Sequence, residues 1–406
     1  MRFQELGLTT FREPASSSQT RGEALLYRAG VQTRAGDATA FGRLILNLLG
    51  ALSDRMEPPE LFSTLGVSCL TESVSEKTRH FFPISSGPEH LLHCPGCHYA
   101  ARPEFARFET RSAASTAPLP MHKIPTPECN TIAALTTFLG IAPAQTAKAL
   151  LRVRPQSDQI VFVVVRGDRQ LSLGKLTLLV GETTPATATQ VLRSGAAPGY
   201  ASPVGLSNAF TVVDRMVAES SNLVAGANDS GFHLINVNYG RDFDADVVAD
   251  IVVGLEGDLC AICGVQLEGM VALEIGNATS IQPQNVLAAV AETHRDERGL
   301  RLPRLLSPFQ AHLLNLPSQD PSILGMAQQL YLDLMRSGLA VLFDDRPQSA
   351  GVKLTDADLI GLPVRLVVSE RNARNGMVEL KFRTSGATMT APVGDVITAL
   401  RSPGSS

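Results

Sequence analysis

The chain has 406 residues, a net charge of −4, 44% hydrophobic and 18% charged residues, enough for two to four domains with buried cores. That charge excludes a protein coated in basic side chains for non-specific nucleic-acid binding, while leaving room for a local basic groove. Trp is absent and aromatics are few, which argues against a stacking platform for single strands.

No run of about 20 apolar residues occurs, so neither a membrane span nor a membrane partner is expected. The opening "MRFQELGLTTFREP" lacks the apolar segment of a signal peptide. Six cysteines in a chain this long are too sparse for a disulfide scaffold, which makes the cytoplasm the expected compartment. Residues 23–56 read as mostly helical, with "GRLILNLLGALSDRM" placing apolar residues at helical spacing. Residues 113–128 are small, polar and proline-rich, the composition of a linker.

A compact α/β unit follows. In "NTIAALTTFLG", Asn130 or Thr131 can cap a helix, Ile132, Leu135, Phe138 and Leu139 share a face, and Gly140 suits the position after the helix. A second helix is expected over "AQTAKALL", leading into "QIVFVVVRGD", a β-branched strand of buried type. The stretch 192–206, "LRSGAAPGYASPVGL", reads as a stiff loop that offers main-chain N–H groups to a ligand, because glycine permits close backbone approach and proline fixes φ. From Phe309 the pattern is βαβ-like. "FQAHLLNL", "LAVLFDD", "VRLVVSE" and "MVELKFR" are strands, "PSILGMAQQLYLDLMRSG" is a helix ending at Gly338, and "TDADLIG" is a short helix. A disordered tail is expected over "RSPGSS".

Two pairs of cysteines stand out, Cys94 with Cys97 in "CPGC" and Cys260 with Cys263 in "CAICG". Such turns aim two thiolates at one tetrahedral metal, and Zn²⁺ commonly takes four. A shared site requires a whole domain between the two knuckles, which the α/β unit supplies; spacing alone leaves two unrelated turns as an equal reading. His93 and His98 read as surface residues rather than ligands. Lys148, taken alone, is a snorkelling surface lysine, Asp214 a strand-end carboxylate and His233 a half-buried histidine. The chain has no phosphate-binding loop of the G-x-x-x-x-G-K-[ST] type, no HExxH and no G-x-S-x-G.

Taken together, these motifs resemble bacterial-type prolyl-tRNA synthetases over nearly the whole chain. Residues 129–239 are similar to that family's inserted editing domain, a relative of the free-standing YbaK-type deacylases. "TAKALL" with Lys148, "RGDRQL", the GxxxP loop "GYASP", and "VVDR…AGAN…FH" with Asp214, Gly226, Asn228 and His233 occur in the family's order. "PFQAHLL", "VLFDDR", "GVKLTDADLIGLP" and "VELKFR" resemble its C-terminal anticodon-binding domain, and "LLHCPGCHYAA" with "GDLCAICGVQLE" its two cysteine knuckles.

The departures carry as much weight. "LNLLGALSDRM" runs almost directly into "PPELFSTLG" with no motif 2 arginine between. Asn285 stands where the family has an ATP-binding arginine, and Phe81 where "SHEF" has its glutamate. The resemblance therefore implies a mixed α/β and α+β multi-domain protein. A degraded class II core over residues 1–112 and 240–306 is interrupted by the editing domain at 129–239 and followed by an anticodon-binding-like domain at 307–402.

It implies an aminoacyl-tRNA deacylase acting in trans on mischarged tRNA, foremost alanyl-tRNA(Pro). Lys148, Gly199, Pro203, Asp214 and His233 would be catalytic, and Tyr200, Ala201, Ser202, Gly226 and Asn228 substrate-binding. Cys94, Cys97, Cys260 and Cys263 would hold structural zinc, and Arg346 and Lys353 would contact tRNA. ATP use is not expected. The implied partners are aminoacylated tRNA, a full-length synthetase and a second copy of the chain; the alternatives are a proline–tRNA ligase with a remodelled core and a non-catalytic tRNA-binding paralogue.

Overall fold

The computed structural model describes residues 1–109, 116–206 and 208–401. The first residues of the expected linker and nearly all of the expected tail lie outside them. The chain divides into two units, Met1–Glu89 with Val271–Ser406, and His90–Met270.

In the first unit, helices Arg21–Arg28, Ala40–Ser53, Pro58–Thr64 and Pro283–Thr293 pack over an antiparallel sheet. The helical stretch expected over 23–56 is two helices, because Gly30 takes a positive φ and Thr39 caps a new start by accepting from the Gly42 amide. Strand Leu70–Val74 pairs antiparallel with Lys77–Pro83, which pairs in turn with the segment from Ala272 to Asn277. Leu26, Ile45, Leu49, Leu61, Phe62, Val286 and Leu287 fill the interior between them.

The same unit carries a five-stranded sheet ordered Val341–Asp344, Ala311–Asn315, Val364–Val368, Met377–Phe382, Thr388–Pro392. Its first three strands are parallel and its last two antiparallel. Helix Pro321–Arg336 ends before Gly338, at φ 80°. The helix expected over "TDADLIG" starts earlier, at Ala350, because Ser349 caps it, and stops at Gly361 in the left-handed conformation. The last strand, Thr388–Pro392, has no expected counterpart.

The second unit is built on a sheet ordered Val247–Ala249, Phe210–Asp214, Gln159–Arg166, Ala147–Arg154, Thr184–Pro185. The strand Gln159–Arg166 is covered on both faces, which explains its unbroken apolar run. Val161, Val163 and Val165 face one cluster with Phe108 and Ile251, while Phe162 and Val164 face another with Val213 and Phe243. A smaller antiparallel sheet joins Leu223–Gly226, Phe232–Val237 and His122–Pro125. The stretch read as linker thus contributes a strand. Thr131 caps helix Ile132–Leu139, and Gly140 closes it at φ 67°.

The helix expected over "AQTAKALL" is a correction. Pro143–Gln145 forms a single 3₁₀ turn, and Ala147–Arg154 is a strand paired antiparallel with Gln159–Arg166 along its full length. Ala, Lys and Leu favour helix in isolation; eight residue pairs against a central buried strand override that preference here. Asp158 at φ 50° makes the turn between the two strands.

Candidate functional site

Lys148 leaves the strand Ala147–Arg154 half-buried and lines a cavity of about 530 Å³ together with Cys129, Asn130, Gly199, Ala201, Gly226 and His233. Leu135, Ala149, Leu150, Leu151, Ala186 and Val191 give it apolar walls. The Lys148 Nζ donates one hydrogen bond, 2.8 Å, to the Arg169 carbonyl in the "RGDR" turn. An ammonium has three donors, so its remaining donors are unclaimed by the described residues. Burial lowers its pKa from the ordinary lysine value, and the nearby Asp168 carboxylate opposes that shift.

The glycine–proline loop is stiffened from within. The Tyr200 amide donates to the Ala197 carbonyl, the Ser202 amide to Asn228 Oδ1 and the Val204 amide to Ser202 Oγ. Asn228, at φ 52°, returns donors from its side chain to the carbonyls of Ser202 and Val204, and its own amide donates to the Tyr200 carbonyl. Among the described residues, the amides of Gly199 and Ala201 have no protein acceptor, and both residues line the cavity. Gly226 makes this crossing possible: a Cβ there would stand 2.3 Å from the Tyr200 carbonyl oxygen and 2.4 Å from that of Ala201.

The structure therefore brings together only part of the set expected from sequence. Lys148, Gly199, Ala201, Gly226 and His233 converge on the cavity. Tyr200, Ser202 and Pro203 are buried within the loop, and Asn228 staples it; none of these four lines the cavity. Asp214 is a correction. It is 1% exposed, and its two oxygens accept from the Met216 amide and the Ile251 amide. Burial raises its pKa, opposed by those two amides. It caps the short helix Arg215–Ala218 and ties down the backbone at Ile251, with both oxygens spent away from the cavity.

His233 is 5% exposed, with Nδ1 2.6 Å from the hydroxyl of Thr126, which is fully buried. Its ring packs on Tyr200 at 5.4 Å between centroids. Burial lowers its pKa from the ordinary histidine value. Sequence reasoning missed Thr126, Cys129 and Asn130. "HKIPTP" carries no polar–apolar alternation, and three of the four residues His122–Pro125 are exposed, so no local signal marked this strand. Chemically, the cavity is lined by a lysine, a loop with two amides that have no protein acceptor among the described residues, and a buried imidazole. These are groups suited to an acyl ester whose oxygen gains negative charge.

In the same unit the four cysteines of the two knuckles meet. Cys94 Sγ lies 3.3 Å from Cys263 Sγ and Cys97 Sγ 3.6 Å from Cys260 Sγ, and all four sulfurs fall within 4.8 Å of one another. A tetrahedral Zn–S₄ site has sulfurs about 3.8 Å apart, from Zn–S bonds of about 2.3 Å, so the donor set and its spacing fit that ion. His93 and His98 pack against each other at 5.9 Å and are not part of the cluster.

The two residues expected to contact tRNA lie in the C-terminal domain with these partners. Lys353 is 1% exposed, and its Nζ donates to the carbonyls of Asn315 at 2.6 Å and Asp344 at 3.1 Å. Arg346 pairs with Asp344 at 2.7 Å and Asp356 at 2.8 Å and lies over the Phe3 ring. Helix Ala350–Ile360 turns Lys353 inward, and two buried aspartates absorb Arg346. Lys353 is closed off from solvent, whereas Arg346 Nη1 has no acceptor among the described residues.

In the remnant core, Phe81 is fully buried, and Asn285 Nδ2 donates to the Glu274 carbonyl and to Gln282 Oε1. Only residues 54–57 join helix Ala40–Ser53 to helix Pro58–Thr64. A cavity of about 380 Å³ beside Asn285 is lined by one arginine among the described residues, Arg34, which donates to Ser16 Oγ.

Residues 126–243 match the aminoacyl-tRNA editing domain and residues 310–402 the anticodon binding domain. A proline–tRNA ligase of Salinispora tropica is 37% identical over 93% of this chain and 67% of its own length. One from Dehalococcoides mccartyi strain 195 is 35% identical over 80% of this chain and 63% of its own, and one from Thermoanaerobacter sp. X514 is 33% identical over 79% and 62%. The chain thus spans about two thirds of the length of these relatives. No helix among the described residues is long and apolar enough to cross a membrane. With an editing domain over residues 126–243, an anticodon binding domain over residues 310–402 and these relatives, the chain belongs to the bacterial-type prolyl-tRNA synthetase family.

Proposed function

We propose that this chain hydrolyses the ester of mischarged aminoacyl-tRNA in trans, with alanyl-tRNA(Pro) its foremost substrate. The observation that carries the reading is that Lys148, the Gly199–Ala201 loop with its unpartnered amides, and His233 line one cavity. As water adds to the ester, its carbonyl oxygen takes on negative charge, and pre-aligned amides stabilise that charge without reorganising. Lys148 holds the terminal phosphate or the ribose hydroxyls and so places the ester. Leu150, Leu151 and Val191 leave space for a small side chain, although a pocket discriminates by only about 1–3 kcal/mol per methylene.

Amino-acid activation is not part of this reading. Asn285 spends its amide on the core's own backbone, Phe81 is buried, and residues 54–57 leave no room for the strands that carry a second arginine. Cys94, Cys97, Cys260 and Cys263 hold a structural zinc that locks the two knuckles together, a state that metal analysis would return as one zinc per chain. The partners are aminoacylated tRNA, a full-length synthetase that charges it, and a second copy of the chain.

The names of the relatives favour a second reading, a proline–tRNA ligase. A panel of aminoacyl-tRNAs assayed for hydrolysis, alongside proline-dependent ATP–pyrophosphate exchange, separates the two. The deacylase reading expects loss of alanine from tRNA(Pro) and no exchange, whereas exchange without hydrolysis would establish the ligase.

A further inference from the structure

We propose that Thr126 is the positioning residue that fixes His233 as its Nε2–H tautomer, so that His233 serves the cavity as a hydrogen-bond donor and not as a base. The proposal rests on the deacylase reading for its catalytic consequence and on geometry for the tautomer.

Thr126 is fully buried, immediately after the strand His122–Pro125, which pairs with Phe232–Val237 in a register that sets Ile124 opposite His233. Its amide donates to the Gly231 carbonyl at 2.7 Å. Its hydroxyl oxygen lies 2.6 Å from His233 Nδ1 and 3.4 Å from that same carbonyl oxygen.

A hydroxyl has one proton, and a 2.6 Å contact requires a proton between its two atoms. If the hydroxyl donates to Nδ1, that nitrogen is bare and Nε2 carries the ring proton. The reverse arrangement has Nδ1–H donate to the hydroxyl, whose own proton must then reach the Gly231 carbonyl. At 3.4 Å that bond lies outside the usual O–H···O range of about 2.5–3.0 Å, and its acceptor already takes the Thr126 amide. A buried hydroxyl left without an acceptor costs about 1–3 kcal/mol, so the first arrangement is preferred.

The rest of the site agrees. Burial disfavours the doubly protonated ring, and Tyr200 holds its plane from one side. Among the described residues Nε2 has no protein partner, and His233 lines the cavity. In the register of the small sheet it stands opposite Gly226, where the loop backbone of Tyr200 and Ala201 crosses. A third neutral donor beside the Gly199 and Ala201 amides suits an oxygen that gains charge, on the ester or on the terminal ribose.

The test is ¹⁵N NMR of the histidine rings in the full-length protein at neutral pH, with the His233 signals identified by their loss in His233→Gln. Wild type and Thr126→Ser are expected to show a bare Nδ1 and a protonated Nε2, and Thr126→Val a mixture of tautomers. Deacylation of alanyl-tRNA(Pro) is expected to fall roughly ten- to a hundredfold in Thr126→Val, the scale seen for partners that orient metal-bound histidines, and to be retained in Thr126→Ser. A protonated Nδ1 in the wild type overturns the proposal, as does an unchanged ring spectrum in Thr126→Val. The wild-type spectrum needs no variant to fold. If the wild type proves inactive on aminoacyl-tRNA, the deacylase reading falls, while that spectrum still decides the tautomer.

Discussion

Lys148 and Lys353 show how differently the editing unit and the C-terminal domain treat a cation that the sequence presents in the same way, a single lysine among apolar neighbours. In the editing unit the protein takes one hydrogen bond from the half-buried Lys148, which is among the residues lining a cavity. In the C-terminal domain it takes two from Lys353, sets Asp344 within 3.9 Å and excludes solvent. A cation serves a ligand only with the donors that the fold has not already used. By that measure Lys148 is a candidate functional group, and the closed-off Lys353 is not.

Substitutions sharpen the contrast. Lys148→Ala is expected to lower deacylation by about 10²–10³, the scale for losing one preorganised charge-stabilising group, with little change in melting temperature. An unchanged rate would remove Lys148 from the mechanism. Lys353→Met should act in the opposite way. It is expected to destabilise folding by about 1–3 kcal/mol, because the carbonyls of Asn315 and Asp344 lose their donor while the Asp344 carboxylate keeps Arg346, with deacylation per folded molecule unchanged. Denaturant unfolding measures the first quantity, and a loss of activity without a loss of stability would reverse the assignment.

Gly226→Ala tests the packing that supports the loop. Its Cβ would press on the carbonyls of Tyr200 and Ala201, and the expected cost is about 1–3 kcal/mol in stability, accompanied by weaker hydrolysis as the Gly199 and Ala201 amides shift. The smallest effect concerns pH. Burial lowers the folded pKa of His233, so the ring stays neutral below the pH at which a free histidine gains its proton. The activity profile should therefore stay flat through the ordinary histidine range and decline only at lower pH. A break at the free-histidine value would place the ring in solvent.

How much of this was legible in the sequence follows the same division. The buried strand "QIVFVVVR", the capped helix ending at Gly140 and four of the five strands of the C-terminal sheet were readable, because period, caps and β-branched runs are local signals. The strand Ala147–Arg154 was not, since its residue types favour helix and only its pairing with Gln159–Arg166 decides the matter. In the site, Lys148, Gly199, Gly226 and His233 were found through motifs, but motifs do not reveal where a side chain spends its hydrogen bonds. Asp214 and Asn228 match the family pattern and use it to hold backbone. Thr126 was hidden in a stretch whose prolines and small residues read as linker, although it contacts His233 directly. The cysteine pairs were visible as turns, and only the fold brings their sulfurs within 4.8 Å.

The most direct measurement is the rate at which the purified full-length chain releases alanine from alanyl-tRNA(Pro), set against spontaneous ester hydrolysis under the same conditions. The account predicts turnover well above the spontaneous rate, sustained without ATP or proline. Release no faster than in buffer alone, from protein shown to be folded, would contradict it.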